Sequence, residues 1–267
     1  MEKDYSTLTN LWKQSGLTAN FYMSPAYLAR AKAVVVDRDW WMWAEADGWC
    51  IAPPVPYDLQ ADPNPPVDSV WSDCRVNPAW LSEKDGWTRE FLDWEYLYDP
   101  QAFLDMKGKK WATFRKNCRK WPRRNPEYIY CTLPQVDYQT FDLLAEWMLK
   151  RQNTVNDPDI IVNYLAEPAP PGSGVSRWGL YEKGRLVGVN IWDYSRNHVN
   201  YRFCLHRDGE PFVDEFMRVL FYAQQAREFP SFVVNDGGTL GQAGLEAFKD
   251  KLNPITKRMV FTWKRKR

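Results

Sequence analysis

The sequence predicts an α+β fold: an antiparallel meander followed by β-α-β-α-β, preceded by a partial or degenerate lobe. Three observations predict it. Residues 178–206 hold three β-rich runs separated by short turns. Two helical patterns, 211–228 and 240–252, flank the short buried run "SFVVN". Residues 1–97 differ in composition, being acidic and rich in Trp and Pro. The chain therefore divides into a 1–97 lobe and a 98–267 domain.

The elements follow in order. Residues 9–30 predict one or two short helices. "DWWMWAEADGWCIAPP" (39–54) places two apolar runs around Ala46-Asp47-Gly48, and a D-G step between such runs signals a hairpin. Residues 53–80 carry many prolines and read as a long surface excursion. From Lys109 to Trp121 the spacing of Trp111, Phe114, Cys118 and Trp121 predicts one helix ended by Pro122. "EYIYCTL" (127–133) reads as a strand. Asp137 caps a helix at 138–151 with Phe141, Leu144, Ala145 and Met148 inward. "NTVNDPD" and "AEPAPPGSGVS" frame a loop region.

"WGLYEKGRLVGVNIWDY" supplies two strands around Glu182-Lys183-Gly184, and "HVNYRFCLH" a third after the Ser195–Asn197 turn. Pro211 opens a helix to about Glu228, with Asp214 and Glu215 at its positive end and Phe212, Phe216, Val219 and Ala223 inward. Ala243, Leu245, Phe248 and Leu252 form the buried side of the 240–252 helix, and "KRMVFTW" is the last strand. From about residue 127 the order is that of the GNAT acyltransferase fold.

Composition limits the function. The 15 Trp, 14 Tyr and 13 Phe bring large apolar area with polar handles. Net charge is +1 but uneven. Residues 37–99 carry 14 acidic and 4 basic side chains, whereas residues 107–124 carry 9 basic and no acidic ones. Such asymmetry points to a surface that meets a polyanion, unless the two regions neutralise each other. Five widely spaced cysteines without a CxxC pair indicate a reducing compartment. No apolar leader or membrane-length apolar run is present, so a cytoplasmic protein is expected.

The motifs exclude more than they include. No G-x-S-x-G elbow and no G-x-x-x-x-G-K-[ST] loop occurs. Two histidines, His198 and His206, and scattered cysteines give no metal site of ordinary spacing. Cations interleaved with Trp111 and Trp121 suit a phosphate backbone with rings stacking nearby. Asn190, Asp193, Asn200 and Arg202 are polar residues within apolar strands; they are structural pairs or line a cavity. Strand alternation would point Asn200, Arg202 and Cys204 one way and Tyr201, Phe203 and Leu205 the other.

"VVNDGGTLGQAGLEAFKDKLNP" (233–254) looks at first like a phosphate loop. Its glycines match neither the Walker nor the dinucleotide spacing, and Asp236 argues against a bound phosphate. The glycines read as a tight connection that brings Asn235 and Asp236 near Lys249. Lys249 lies at the edge of the buried stripe, where it reaches over the sheet or extends to water.

Together, "MKGKKWATFRKNCRKWPRRNP", "NYRF" and this last segment resemble the C-terminal domain of phosphatidylglycerol lysyltransferases, relatives of the Fem-type peptidyl aminoacyltransferases. The resemblance covers roughly 98–267. It implies a GNAT-type fold that transfers an acyl or aminoacyl group from an activated donor, typically aminoacyl-tRNA, to an amine or hydroxyl. It maps donor-phosphate contacts to Lys109, Lys110, Arg115 and Arg119. It maps catalytic roles to Lys249, with Arg202 and Asn235 in segments lining the cleft.

Departures from the pattern matter. Lipid-synthesising members carry a membrane domain that this sequence lacks. Where acetyl-CoA enzymes have a glycine loop, this chain reads "HRDGEPFVDEF". Acids at that helix start oppose a pyrophosphate, so acetyl-CoA is disfavoured and no tightly bound cofactor is expected. The leading expectation is aminoacyl transfer from a tRNA-linked donor to a small cationic or hydroxyl acceptor drawn by the acidic lobe. One alternative modifies a DNA or RNA base with an acyl or amino-acid group. Another is non-catalytic nucleic-acid binding on the same scaffold.

Overall fold

The computed structural model describes residues 5–15, 21–38, 40–58, 69–73, 86–133, 135–151, 155, 158–167, 174–195 and 198–266. Two compact units form: residues 1–95 with 257–267, and residues 96–256.

The first unit contains helices α1 (Tyr5–Gln14) and α2 (Pro25–Arg30). Its strands are β1 (Val34–Arg38), β2 (Trp41–Ala46), β3 (Trp49–Cys50), β4 (Val55–Pro56) and β5 (Ser69–Asp73). Most of β6 (Trp87–Tyr98) and of β12 (Thr256–Arg265) also belongs to it. The β2–β3 hairpin turns at Asp47 (φ 50°) and Gly48 (φ 78°), the two left-handed positions that a D-G step supplies. The span 53–80, expected as a surface excursion, contains β4 and β5, and β5 pairs antiparallel with β12. The rest of that span lies outside the described residues, as does Cys74. Trp41, Trp43, Trp87, Phe261 and Trp263 pack into one core with Cys50. Many of the tryptophans therefore serve packing. In the same unit Arg258 donates to Glu95 at 2.5 Å, and Glu95 also accepts from the Phe21 amide at 2.8 Å.

The second unit holds the meander expected within 98–267, but the last strand of that span, β12, falls almost wholly in the first unit. Its sheet runs from the 96–98 end of β6 through β11 (Val233–Asn235), β10 (His198–His206), β9 (Arg185–Ser195) and β8 (Val175–Glu182) to β7 (Tyr128–Thr132). All pairs are antiparallel except β10–β11, which is parallel. The β8–β9 turn uses Lys183 (φ 49°) and Gly184 (φ 80°) as expected, whereas residues 196–197 of the next turn lie outside the described residues.

One face of the sheet carries α8 (Val213–Glu228), through contacts of Trp192 and Tyr201 with Phe221. A Cβ at Gly188 would meet Met217 Sδ at 2.4 Å, so the glycine sets how closely this helix approaches. Buried residues of α8 include Phe216, Met217, Phe221 and Tyr222, while Phe212, Val219 and Ala223 of the expected stripe are half-buried. Two neighbouring faces of α8 are buried, so a single stripe underestimates it. The opposite face of the sheet meets α7 (Pro158–Ala166), where a loop region was expected.

Two further helices depart from their patterns. The basic segment is not one helix. A 3-10 turn (Lys109–Trp111) leads into α4 (Ala112–Cys118), and α5 (Lys120–Arg124) follows. Pro122 has no N–H to give the Cys118 carbonyl, so the break falls one turn before it rather than at it. The inward stripe Trp111, Phe114, Cys118 and Trp121 is buried throughout. In α6 (Tyr138–Arg151), Asp137 Oδ1 accepts from the Thr140 amide at 3.0 Å as predicted. Its buried side is Thr140, Leu143 and Leu144, however, with Phe141 and Ala145 exposed. α3 (Ala102–Asp105) and α9 (Ala243–Lys251) complete the unit. On α9, Ala243 is exposed and Leu245 and Phe248 are half-buried, whereas Lys249 is buried.

Candidate active site

Strand β11 ends at Asn235, whose side chain begins the next turn. Asn235 Oδ1 accepts from the Gly237 amide at 2.9 Å, an Asx turn that fixes the amide's orientation. Gly237 sits at φ 61°, open to glycine at little cost. The turn is stitched to β6: Asp236 N donates to Tyr96 O at 2.9 Å, and Tyr96 N to Gly237 O at 3.2 Å.

Lys249 reaches back from α9 into this turn rather than to water. Its ammonium donates to the carbonyls of Asp236, Gly237 (3.3 Å) and Gly238 (2.7 Å). It lies 3.4 Å from the Asp236 carboxylate and 5.5 Å from the centre of the Tyr96 ring. An ammonium has three N–H groups, and three carbonyls take them. Tyr98 O–H donates to the Lys249 carbonyl at 2.9 Å and ties α9 to the sheet. Lys249 thus holds the turn, and an oxyanion role would require it to release a carbonyl.

Asp236 is shared with α8. Arg218 pairs with its Oδ2, and Tyr222 O–H donates to the same oxygen at 3.2 Å. Burial opposes the Arg218 charge, but Asp236 and Asp214 hold it above its ordinary value. Burial, reinforced by Asp236, pushes the Tyr222 phenol up; burial and then Asp214 push the Cys204 thiol up. None of these neutral groups is a ready base at pH 7.

The other face carries a second buried cluster centred on Asp193. Arg202 grips it with a fork, Nε to Oδ2 at 2.6 Å and Nη2 to Oδ1 at 3.0 Å. Tyr164 O–H donates to Oδ2 at 2.5 Å, and Asn200 Nδ2 donates to Oδ1 at 2.8 Å and to Ser195 Oγ at 3.0 Å. Alternation keeps Arg202 on the side of Asn200, as expected, but a register shift between Tyr201 and Phe203 moves Cys204 off that side. Cys204 pairs with Asn190 and Tyr201 with Trp192, on the α8 face.

Asn190 therefore belongs elsewhere. It donates to Tyr130 Oη at 2.9 Å and to Met217 O at 3.0 Å, and accepts from Tyr201 O–H at 2.5 Å. Of the four expected cavity residues, Asn190 and Asp193 fall on opposite faces because their separation along β9 is odd; Asn200 joins Asp193, and Asp236 bonds Arg218 and Tyr222 of α8.

Two atoms at the β10–β11 junction remain open. Asn200 and Asn235 are direct register partners, both fully buried. Asn200 Oδ1 and Asn235 Nδ2 have no hydrogen-bond partner. Each amide is oriented by its other atom, so an acceptor and a donor stand side by side uncommitted. Buried open groups of this kind cost about 1–3 kcal/mol each.

The cations sort into two kinds. Lys109, Lys110, Lys116, Arg119, Arg123 and Arg124 are exposed, and among the described residues none of the six forms an ion pair. Arg115 is half-buried and donates to the Met106 carbonyl, closing the end of α3. Trp111 and Trp121 are 2 % and 1 % exposed, so the stacking role expected for them falls away. Acids surround the start of α8: Glu210 accepts from Trp121 Nε1 at 3.1 Å and Asp214 pairs with Arg218 at 3.3 Å.

Sequence reasoning missed Tyr164, Arg218 and Tyr222. Arg218 had a signal, a charged residue in a helix otherwise buried on two sides. Tyr164 had none, since α7 was read as loop. Among the described residues no helix is long and apolar enough to cross a membrane, and no group of three or more His, Cys, Asp or Glu could hold a metal ion.

No family model matches the chain, and no curated protein matches it. Solved structures do. A conserved protein of unknown function from Bacteroides thetaiotaomicron superposes with TM-score 0.75 at 16 % identity, covering 98 % of this chain and 96 % of that one. The C-terminal domain of a protein assigned as a lysylphosphatidylglycerol synthetase, from Agrobacterium fabrum, gives 0.68 at 14 % over 98 % and 92 %. FemX gives 0.64 at 10 % over 98 % and 96 %. At these identities the likeness is one of fold: a GNAT-like mixed fold, similar to the two groups that the sequence motifs resemble.

Proposed function

We propose that the protein transfers an aminoacyl group from tRNA to an amine or hydroxyl acceptor. The observation that carries this reading is a set of six exposed cations on the 109–124 segment that form no ion pair among the described residues, on a fold similar to that of FemX and a lysylphosphatidylglycerol synthetase domain. Lys109, Lys110 and Arg119 would hold donor phosphates, where each released counterion adds affinity at low salt. The acids at the start of α8 disfavour a CoA pyrophosphate there.

In the transfer, the acceptor nitrogen or oxygen attacks the ester carbonyl carbon. The new bond forms, the ester C–O bond breaks, and the acceptor's proton leaves with the ribose oxygen. Negative charge builds on the carbonyl oxygen, and the open Asn235 N–H is the group suited to receive it. Lys249 holds the turn that presents Asn235, and the Arg202–Asp193 fork holds Asn200 beside it.

Fluorescence anisotropy with tRNA and with a DNA duplex of matched length, across a salt series, tests the donor side. The expected result is tRNA binding with a steep salt slope. Preference for the duplex would move the nucleic acid to the acceptor side, as a base to be modified; salt-insensitive or absent binding of both would overturn the reading.

A further inference from the structure

A cavity of about 510 Å³ lies on the α8 face, with no residue of the Asn235 turn in its lining. Its walls come from α3, the second half of α8 and strands β7 and β8. The size falls within the range of small-molecule sites. Leu104, Met106, Val219 and Leu220 give it an apolar body. Tyr130 and Trp178, with ring centres 5.0 Å apart, form an aromatic wall. Phe103, stacked on Tyr222 at 3.8 Å, fixes the α3 side.

The polar groups are few and of complementary kinds. Tyr130 accepts from Asn190, so its own proton is left to donate, and no acceptor takes it among the described residues. Gln224 Oε1 is buried with no partner, while Gln224 Nε2 donates to Glu228 Oε1 at 3.0 Å. Arg227 and Glu228 stand exposed at the lining. The cavity thus offers a neutral donor and a cation, and a neutral acceptor and an anion, around an apolar interior.

We propose that this cavity binds a free zwitterionic α-amino acid with a large apolar or aromatic side chain. The carboxylate meets Arg227 and the Tyr130 hydroxyl, the ammonium meets Gln224 Oε1 and Glu228, and the side chain fills the space beside Trp178. A simple fatty or cationic ligand leaves one of the two polar pairs unmet, which costs affinity. The site is separate from the transfer site and does not depend on the activity proposed there.

Isothermal titration calorimetry with L-phenylalanine and L-leucine tests it on the full chain. Saturable binding is expected. Phenethylamine and 3-phenylpropionate, which each lack one charge, should bind at least tenfold more weakly, as should L-phenylalanine to Tyr130→Phe. Ala223→Phe fills the cavity from a half-buried helix position and should abolish binding while thermal unfolding stays cooperative. No binding of either amino acid to the wild-type chain overturns the proposal. So does equal binding of the two singly charged analogues, which would leave apolar filling alone.

Discussion

Lys249 and Asp236 meet at both ends of one turn. The lysine ammonium takes the Asp236 carbonyl and lies 3.4 Å from its carboxylate, with both side chains 4 % exposed. Without Lys249, Asp236 keeps Arg218 and Tyr222, but the three turn carbonyls lose their donor. Lys249→Ala should therefore destabilise the protein by about 1–3 kcal/mol in urea or guanidinium unfolding. A midpoint shift near zero would mean that the turn does not depend on this lysine.

Asn235 makes the complementary case, because its two side-chain atoms have separable duties. In Asn235→Ser a hydroxyl still accepts from the Gly237 amide, but the open N–H is gone. Aminoacyl transfer should fall by about 10²–10³ in single-turnover rate, the usual cost of one oxyanion donor, while donor binding stays. A loss of binding with an unchanged rate would place Asn235 outside the chemistry.

The cap of α6 offers a test of local structure. Asp137→Ala removes the acceptor for the Thr140 amide and hydroxyl, and should cost about 1 kcal/mol of stability in the same unfolding assay. No change would indicate that the helix start is held by other means.

Much of the fold was legible, because turns and caps are written in few residues. Asp47-Gly48, Lys183-Gly184 and Asp137 each announce their element and deliver it. The meander strands followed, since their apolar runs are bounded by such turns. What was illegible depends on tertiary pairing. The β10 bulge changes which face Cys204 occupies, and nothing in "NYRFC" encodes it. The buried duty of Lys249 required knowing that three carbonyls converge on it. Trp111 and Trp121 were correctly phased for burial by their helical spacing, and that same phasing argues against their use as stacking platforms. For the open Asn200–Asn235 pair, the sequence supplied both residues but not the parallel register that sets them side by side.

Thiol chemistry checks the buried faces. Burial raises Cys50 and Cys118, and burial with Asp214 raises Cys204, above the ordinary thiol value. A raised value keeps the proton on at pH 8, and the thiolate that attacks an alkylating agent is scarce. These three should alkylate slowly with iodoacetamide at pH 8 in the folded protein and rapidly in denaturant, as read by peptide mass spectrometry. Fast labelling of Cys50 or Cys204 under native conditions would contradict the packing described.

The exposed cations of 109–124 that form no ion pair among the described residues are proposed to serve a tRNA-borne aminoacyl donor. The direct measurement is discharge of a charged tRNA pool, followed on acid gels, with free amino acids, amino sugars and phosphatidylglycerol vesicles supplied as acceptors. The account predicts discharge above spontaneous hydrolysis for at least one tRNA species, with product on one acceptor. It also predicts at least a tenfold fall when Lys109, Lys110 and Arg119 are changed together to Glu. A folded protein that discharges no aminoacyl-tRNA, or one whose rate is indifferent to that triple substitution, would contradict it.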